Sequence, residues 1–388
     1  MHEINVLDQE EEIKEIDKSE MIKICMRIPE DCAEAIKRAK RTRIPDEVNI
    51  SESASITYKQ PRCVLIAGMG GSAIGGEILR DWLRDQVPIP IEVCRDYALP
   101  NYANQNTLVF AVSYSGNTEE TLRALVDAIR RGCMVMTITS GGHLLSLSKK
   151  LRIPYLKIPE GMPPRAAIPY LFFPLPVLMK KIGLPLEIEG EVTETAEILQ
   201  KLRKETAPQT ITDNNPSKKL ALKLAETIPI VYGFGPYGAV AHRWKTQFNE
   251  NSKVPSYWEV FPELNHNEVM GWEAPEALTR KFSVILLRDQ DEAPEIRRKI
   301  EVTKQLALYK AQRVLEIYAV GRGKLAKIFS LLHIGDMTSV YLAILRRTDP
   351  TPVRTIERIK EKVEEKFDIT KSLKEEIGEI TGKGLTLT

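Results

Sequence analysis

Residues Ser113-Tyr-Ser-Gly-Asn-Thr-Glu-Glu-Thr121 follow an apolar run, Leu108-Val-Phe-Ala-Val112, and precede an amphipathic stretch from Leu122 to Ile129. An apolar run, a glycine-bearing polar turn and a helical repeat in that order describe a buried strand feeding a helix. Ser113, Ser115 and Thr118 crowd the turn with hydroxyls, and no lysine is among them. The first N–H groups of a helix lack partners and lie at the positive end of its dipole, so such a turn attracts an anion, typically a phosphate. Ser, Thr and Asn are also ordinary helix caps, and Asn117 with Glu120 three residues on fits a capping pair. Both readings of the turn stand at this point.

The same alternation extends outward on both sides. Short runs at Cys63–Ala67, Ile89–Cys94, Thr107–Val112, Met134–Thr139 and Ile153–Ile158 alternate with helical segments beginning near Ser72, Glu119 and Leu144. That pattern predicts a parallel sheet covered by helices on both faces. A Pro-rich stretch, 159–176, closes the unit. A second alternation runs through Ile228–Tyr232, Ala239–Glu250, Phe282–Leu287, Pro294–Ala307, Val314–Ala319 and Leu325–Leu345. The chain therefore reads as α/β in four parts: a helical segment over 1–50, α/β domains over 51–190 and 191–348, and a charged helical tail over 349–388.

Composition narrows the class of function. The 388 residues are 43% apolar and 28% charged with a net charge of +2, which describes a globular protein and gives no electrostatic case for nucleic acid. The basic cluster Lys37–Arg43 is short and reads as a solvated helix face. Five cysteines (Cys25, Cys32, Cys63, Cys94 and Cys133) lack metal-ligand spacing, and the last three sit in or beside apolar runs as buried small hydrophobes. No signal peptide precedes the acidic N-terminus and no apolar run approaches membrane-spanning length, so a cytoplasmic protein with no membrane partner is expected.

Each half opens on a strand and a glycine turn, Gly68-Met-Gly-Gly-Ser72 and Gly233-Phe-Gly-Pro-Tyr-Gly238. Gly233, Gly235 and Gly238 satisfy the dinucleotide fingerprint, with Glu259 about twenty residues beyond for a ribose. Against it, Pro236 removes an N–H donor from the phosphate turn, and Glu259 follows Pro255 and Trp258 instead of ending a clean strand. A tight strand-to-helix turn that needs glycine for backbone reasons is the better reading. In the first half, the turn is expected to offer the Ser72 hydroxyl to a ligand entering above the strand ends, where open parallel sheets bind ligands.

With Gly68–Ser72 and Ser113–Thr121 both in place, the chain resembles the sugar isomerase (SIS) domain proteins, which hold a sugar phosphate on that Ser/Thr turn. Trp244-Lys-Thr-Gln-Phe-Asn-Glu-Asn-Ser-Lys253, Pro262-Glu-Leu-Asn-His-Asn-Glu268 and Met162-Pro-Pro-Arg-Ala166 narrow the match. They resemble the archaeal and bacterial bifunctional phosphoglucose/phosphomannose isomerases, from near Gln60 to near Leu345. The resemblance implies two SIS-type domains, each a flavodoxin-like three-layer sandwich, and interconversion of glucose 6-phosphate, and also mannose 6-phosphate, with fructose 6-phosphate. It implies that Gly71, Ser72, Ser113, Ser115 and Thr118 bind the phosphosugar, that Glu250 is the base, and that Arg165 stabilises the intermediate. His266 would open the ring, presented to the active site of the neighbouring subunit of a homodimer. Thr351 is the candidate for mannose 6-phosphate use and Lys360 for a lysine assisting ring opening. No cofactor is implied.

These residue types suit the chemistry. Isomerisation moves one proton between C2 and C1 through an enediolate, and one carboxylate can remove and return it. A guanidinium stays charged opposite the developing oxyanion, and a histidine transfers a proton at the ring oxygen near neutral pH. His143, His242 and His333 have no evident role; Tyr257, Trp258, Phe261 and Trp272 are expected to pack the loop carrying His266. Two rivals remain: a non-catalytic phosphosugar sensor, disfavoured by the lack of a basic helix-turn-helix, and a dinucleotide-dependent oxidoreductase.

Overall fold

The computed structural model describes residues 5–365 and 369–381. The chain divides into two compact units, neither of them one continuous stretch. One comprises Glu30–Ile188 with the described residues from Val353 onward; the other comprises Glu189–Pro352 with the described residues up to Pro29. The helical N-terminal segment is thus divided between the units.

In the unit containing Glu30–Ile188, a hairpin of β1 (Glu47–Asn49) and β2 (Ser55–Thr57) buries Val48 and Ile56. One buried residue per strand is too short a pattern to read from sequence. The sheet that follows is wholly parallel: β3 (Cys63–Ala67), β4 (Ile91–Cys94), β5 (Thr107–Val112), β6 (Met134–Thr139) and β7 (Tyr155–Lys157), in the order β4-β3-β5-β6-β7. Every residue of β5 and β6 is buried, because helices cover both faces. The edge strands β4 and β7 begin two residues later than expected, each just after a proline, Pro90 and Pro154, which lacks the N–H for the ladder. The Pro-rich stretch contains two buried helices, Ile168–Phe172 and Pro174–Lys181, each with proline in its first turn. The last helix, Ile369–Thr381, buries Leu373 and Ile377 and ties to helix Glu119–Arg130, where Arg123 and Arg130 pair with Glu376.

The other unit has a four-stranded parallel sheet, β8 (Ile228–Phe234), β9 (Tyr257–Phe261), β10 (Phe282–Arg288) and β11 (Arg313–Tyr318), in the order β11-β10-β8-β9. β9 was not expected; Pro255 and Pro262 bracket it, and as an edge strand it lacks the continuous burial that marks β8 and β10. Each sheet places its first strand between its second and third. Helix Lys324–Leu345 also corrects an expectation. Its 22 residues are apolar enough to cross a membrane, yet 94% of its most apolar window is buried inside the protein. A helix that is apolar all round is a core helix.

Candidate active site

With the strand order β4-β3-β5, the connections leaving β3 and β5 run to opposite sides of the sheet. The crevice between their carboxyl ends is the place where such sheets take ligands. The turn after β3 is Gly68–Ser72 and the turn after β5 is Ser113–Thr118. They approach closely: a Cβ on Gly68 would lie 2.8 Å from Val112 O. Ser72 Oγ accepts the Tyr114 N–H at 3.2 Å, joining the two turns. Ser113 Oγ accepts the Gly116 N–H at 3.0 Å and lies 2.8 Å from Thr118 Oγ1. Ser115 is exposed, its Oγ accepting the Asn117 N–H at 3.3 Å.

Thr118 is the N-cap of helix Glu119–Arg130 by position, but its side chain makes no cap bond to that helix. Asn117 does not cap it either. Gly116 takes a φ of +73°, which aims Asn117 at the neighbouring turn, where Oδ1 accepts the His143 N–H at 2.9 Å. The backbone at Gly116 admits nothing larger, since a Cβ would lie 1.9 Å from Gly141 O.

Arg165 enters through the loop after β7. It is buried, in the helical turn Pro164–Ala166, and packs on Gly71, where a Cβ would lie 3.2 Å from Arg165 Cα. Tyr114 secures this loop: its hydroxyl donates to Pro159 O at 3.0 Å and accepts the Met162 N–H at 2.8 Å. Gly71, Ser72, Ser113, Ser115, Thr118 and Arg165 therefore converge at one crevice. Tyr114 was missed from sequence, and an aromatic between two serines of a polar turn was the only signal.

In the other unit, Glu250 is the last residue of helix Gly238–Glu250 and is half-buried. The turn beyond it is tied down: Asn251 Nδ2 donates to Ser339 Oγ at 2.8 Å, Ser252 Oγ to Ser339 O at 2.6 Å and Asn249 Nδ2 to Val254 O at 2.9 Å. Lys253 Nζ donates to Glu250 O and to Pro350 O, the latter at 2.9 Å, so Glu250 and Thr351 belong to one neighbourhood. His266 does not share it. The helix ending at Glu250 runs back against β8, so Glu250 lies at the edge where β9 begins. His266 is exposed beyond the end of β9, and five residues at about 3.3 Å each separate the edges. Asn265 beside it donates to Thr303 Oγ1 at 2.6 Å. Lys360 is exposed on helix Arg354–Glu364.

Residues 213–363 match the family model described as the bacterial phospho-glucose isomerase C-terminal SIS domain. Over 320 residues the chain is 42% identical to the bifunctional phosphoglucose/phosphomannose isomerase of Caldicellulosiruptor bescii, covering 82% of this chain and 94% of that one. The chain belongs to the bifunctional phosphoglucose/phosphomannose isomerase family. The enzyme of that name from Thermoplasma acidophilum is 38% identical over 301 residues, covering 77% of this chain and 89% of that one. In fold, the chain is similar to a hypothetical protein of Thermus thermophilus, with a TM-score of 0.68 at 15% identity over 92% of this chain and 94% of that one. The family is one of aldose–ketose isomerases of sugar phosphates.

For a phosphoglucose/phosphomannose isomerase, the mouth of the second sheet is the instructive contrast. The turns after β8 and β10 are filled by Tyr237, whose hydroxyl donates to Asp289 at 2.5 Å, and by Lys327, which donates to Asp289 at 2.9 Å and to Asp291 at 2.6 Å. Burial alone would raise the Asp289 pKa, but the bonds from Tyr237 and Lys327 outweigh it and hold the carboxyl below its usual range. A buried phenol and an ionised acid occupy the spot a pyrophosphate would need. Glu259 is within a strand after all, in β9, and its Oε1 accepts the Val260 N–H at 2.8 Å. The glycine fingerprint is thus a backbone device: a Cβ on Gly233 would lie 2.4 Å from Tyr237 O.

Two of the aromatics, Tyr257 and Trp258, are placed differently from expectation. Tyr257 is exposed, Trp258 stacks on His242 at 4.7 Å and Phe261 meets Tyr232 edge-on, all three within β9. Phe261 and Trp272 both meet Tyr232, Trp272 donating to its Oη at 3.3 Å, and Tyr232 in turn donates to Glu268 in the His266 loop at 2.6 Å.

Proposed function

We propose that this protein interconverts glucose 6-phosphate and fructose 6-phosphate, and also mannose 6-phosphate and fructose 6-phosphate, by metal-free proton transfer through a cis-enediolate. The observation that carries the reading is the convergence of four hydroxyl side chains, Gly71 and Arg165 at the crevice between β3 and β5. In this reading Ser72, Ser113, Ser115 and Thr118 hold the phosphate with neutral donors, which bind a dianion less tightly than a buried cation would and so permit release. Glu250 takes the C2 proton and returns it at C1. Arg165 faces the oxyanion as it develops, and being buried it acts through a low dielectric. His266, with Lys360, moves the proton that opens the ring, and Thr351 contacts the C2 hydroxyl.

The separation of Glu250 from His266 across β9 supports a homodimer in which each active site takes its histidine from the other subunit. The five cysteines are all thiols rather than disulfides, which suits a reducing, cytoplasmic setting. The test couples fructose 6-phosphate formation to a dye. Glu250→Gln is expected to lose at least ~1,000-fold in kcat while still binding substrate, and a wild-type rate would refute the assignment. Mixing inactive Glu250→Gln and His266→Ala proteins under subunit exchange is expected to restore activity, through hybrid dimers with one intact site. No recovery would refute sharing.

A further inference from the structure

Lys253 follows the helix that carries Glu250, with a φ of +56°, in the left-handed region where glycine is the ordinary choice at a helix end. A lysine near a helix C-terminus commonly satisfies the last carbonyls, and that accounts for its bond to Glu250 O. It does not account for the second bond, to Pro350 O at 2.9 Å, which spans 97 residues of sequence.

That second bond falls on a particular peptide unit. Pro350 O belongs to the peptide leading into Thr351, and the N–H of the same peptide donates to Asp349 Oδ1 at 3.0 Å. Both polar groups of the unit are held, so the direction in which Thr351 leaves the backbone is set. The base from which Lys253 reaches out is equally fixed by the Asn249, Asn251 and Ser252 bonds. One ammonium therefore links the end of the Glu250 helix to the peptide that aims Thr351.

We infer that Lys253 is a positioning residue that registers Thr351 against Glu250, and thereby sets the choice between sugar phosphates epimeric at C2. The inference rests on the reading of Glu250 as base and Thr351 as the C2 contact. The two epimers differ only in the configuration at the carbon whose proton the base removes. Discrimination therefore requires the hydroxyl contact and the carboxylate to keep a fixed relation. A 1 Å displacement of such a group costs up to about 100-fold in rate.

The test measures kcat and KM of the full-length enzyme with glucose 6-phosphate and mannose 6-phosphate, beside the thermal midpoint. Lys253→Gly removes the ammonium and suits the left-handed backbone, so the fold is expected to keep its midpoint. The ratio of the two kcat/KM values is expected to shift by about 10-fold, mostly in kcat. Lys253→Arg, which keeps a donor, is expected to hold the ratio within about twofold. A Lys253→Gly enzyme with an unchanged ratio, or with both values lowered equally, would overturn the inference. Glu250→Gln separates the two layers. If it stays active, the base reading fails, and if it is inactive while the Lys253→Gly ratio is unchanged, only the positioning role fails.

Discussion

The two sheets share a strand order and fill the resulting crevice in opposite ways. Between β3 and β5, four neutral hydroxyls and a buried arginine border the mouth, and Gly116 bends the chain so that Asn117 turns away. Between β8 and β10, Tyr237 and Asp289 occupy the corresponding space and Lys327 neutralises it. The start of helix Lys324–Leu345 is likewise taken up by the protein's own carboxylates. Glu194 accepts the Arg322 and Gly323 N–H groups at 2.6 and 3.0 Å, and Glu191 accepts that of Leu325 at 2.7 Å. In the first copy small hydroxyls line the mouth, bonded to one another and to the turn backbone; in the second a phenol, carboxylates and a lysine fill it. The strand order alone does not make a site; the side chains at the strand ends do.

The contrast can be broken at several points. The largest effect is expected from Gly116→Ala, which combines a positive φ with a backbone collision. It should cost at least ~100-fold in kcat/KM and roughly 3 kcal/mol of stability by chemical denaturation. A wild-type profile would mean that the first mouth is not rigid. Asp289→Ala takes the acceptor from the Tyr237 hydroxyl and leaves Lys327 with Asp291 alone, and should cost about 2 kcal/mol while leaving KM unchanged. A raised KM would instead show the second mouth taking part in binding.

A third prediction concerns pH. Burial lowers the pKa of His333, in the core of the second unit, from 6.5 to about 4. Its Nε2 meets Thr206 Oγ1 at 2.8 Å. The unfolded chain therefore binds this proton more readily than the folded one. Stability is complete above the unfolded value and falls as pH drops from about 6.5 towards about 4. Near pH 5 the loss should be roughly 2 kcal/mol, and urea titrations of His333→Gln should lack that component. The smallest effect is expected from Ser113→Ala: a rise of about 10-fold in KM and little change in kcat, since one neutral donor of several is removed.

What could be read from the sequence follows from what is local. β5, β6, β8 and β10 are legible because strands buried on both faces leave continuous apolar runs. β9, an aromatic edge strand between two prolines, leaves none. The hydroxyl turn was legible as an anion site or a capped helix, but the role of Asn117 was not. Its partner is a backbone N–H 26 residues away, reached only because of the conformation at Gly116. Tyr114 and Lys253 were invisible for the same reason: their partners in the Pro159–Met162 loop and at Pro350 are brought near by the fold.

The clasp of Ile369–Thr381 on Glu119–Arg130 bears on how the molecule is made. The helix that follows the hydroxyl turn receives Leu373, Glu376 and Ile377 from Ile369–Thr381, while residues 5–29 belong with the sheet β8–β11. As the polypeptide is made, the turn Ser113–Thr121 emerges well before Ile369–Thr381, which packs on the helix that follows it. A cut between Ile188 and Glu189 would separate neither unit cleanly. Each unit is built from two stretches of chain that lie far apart in sequence.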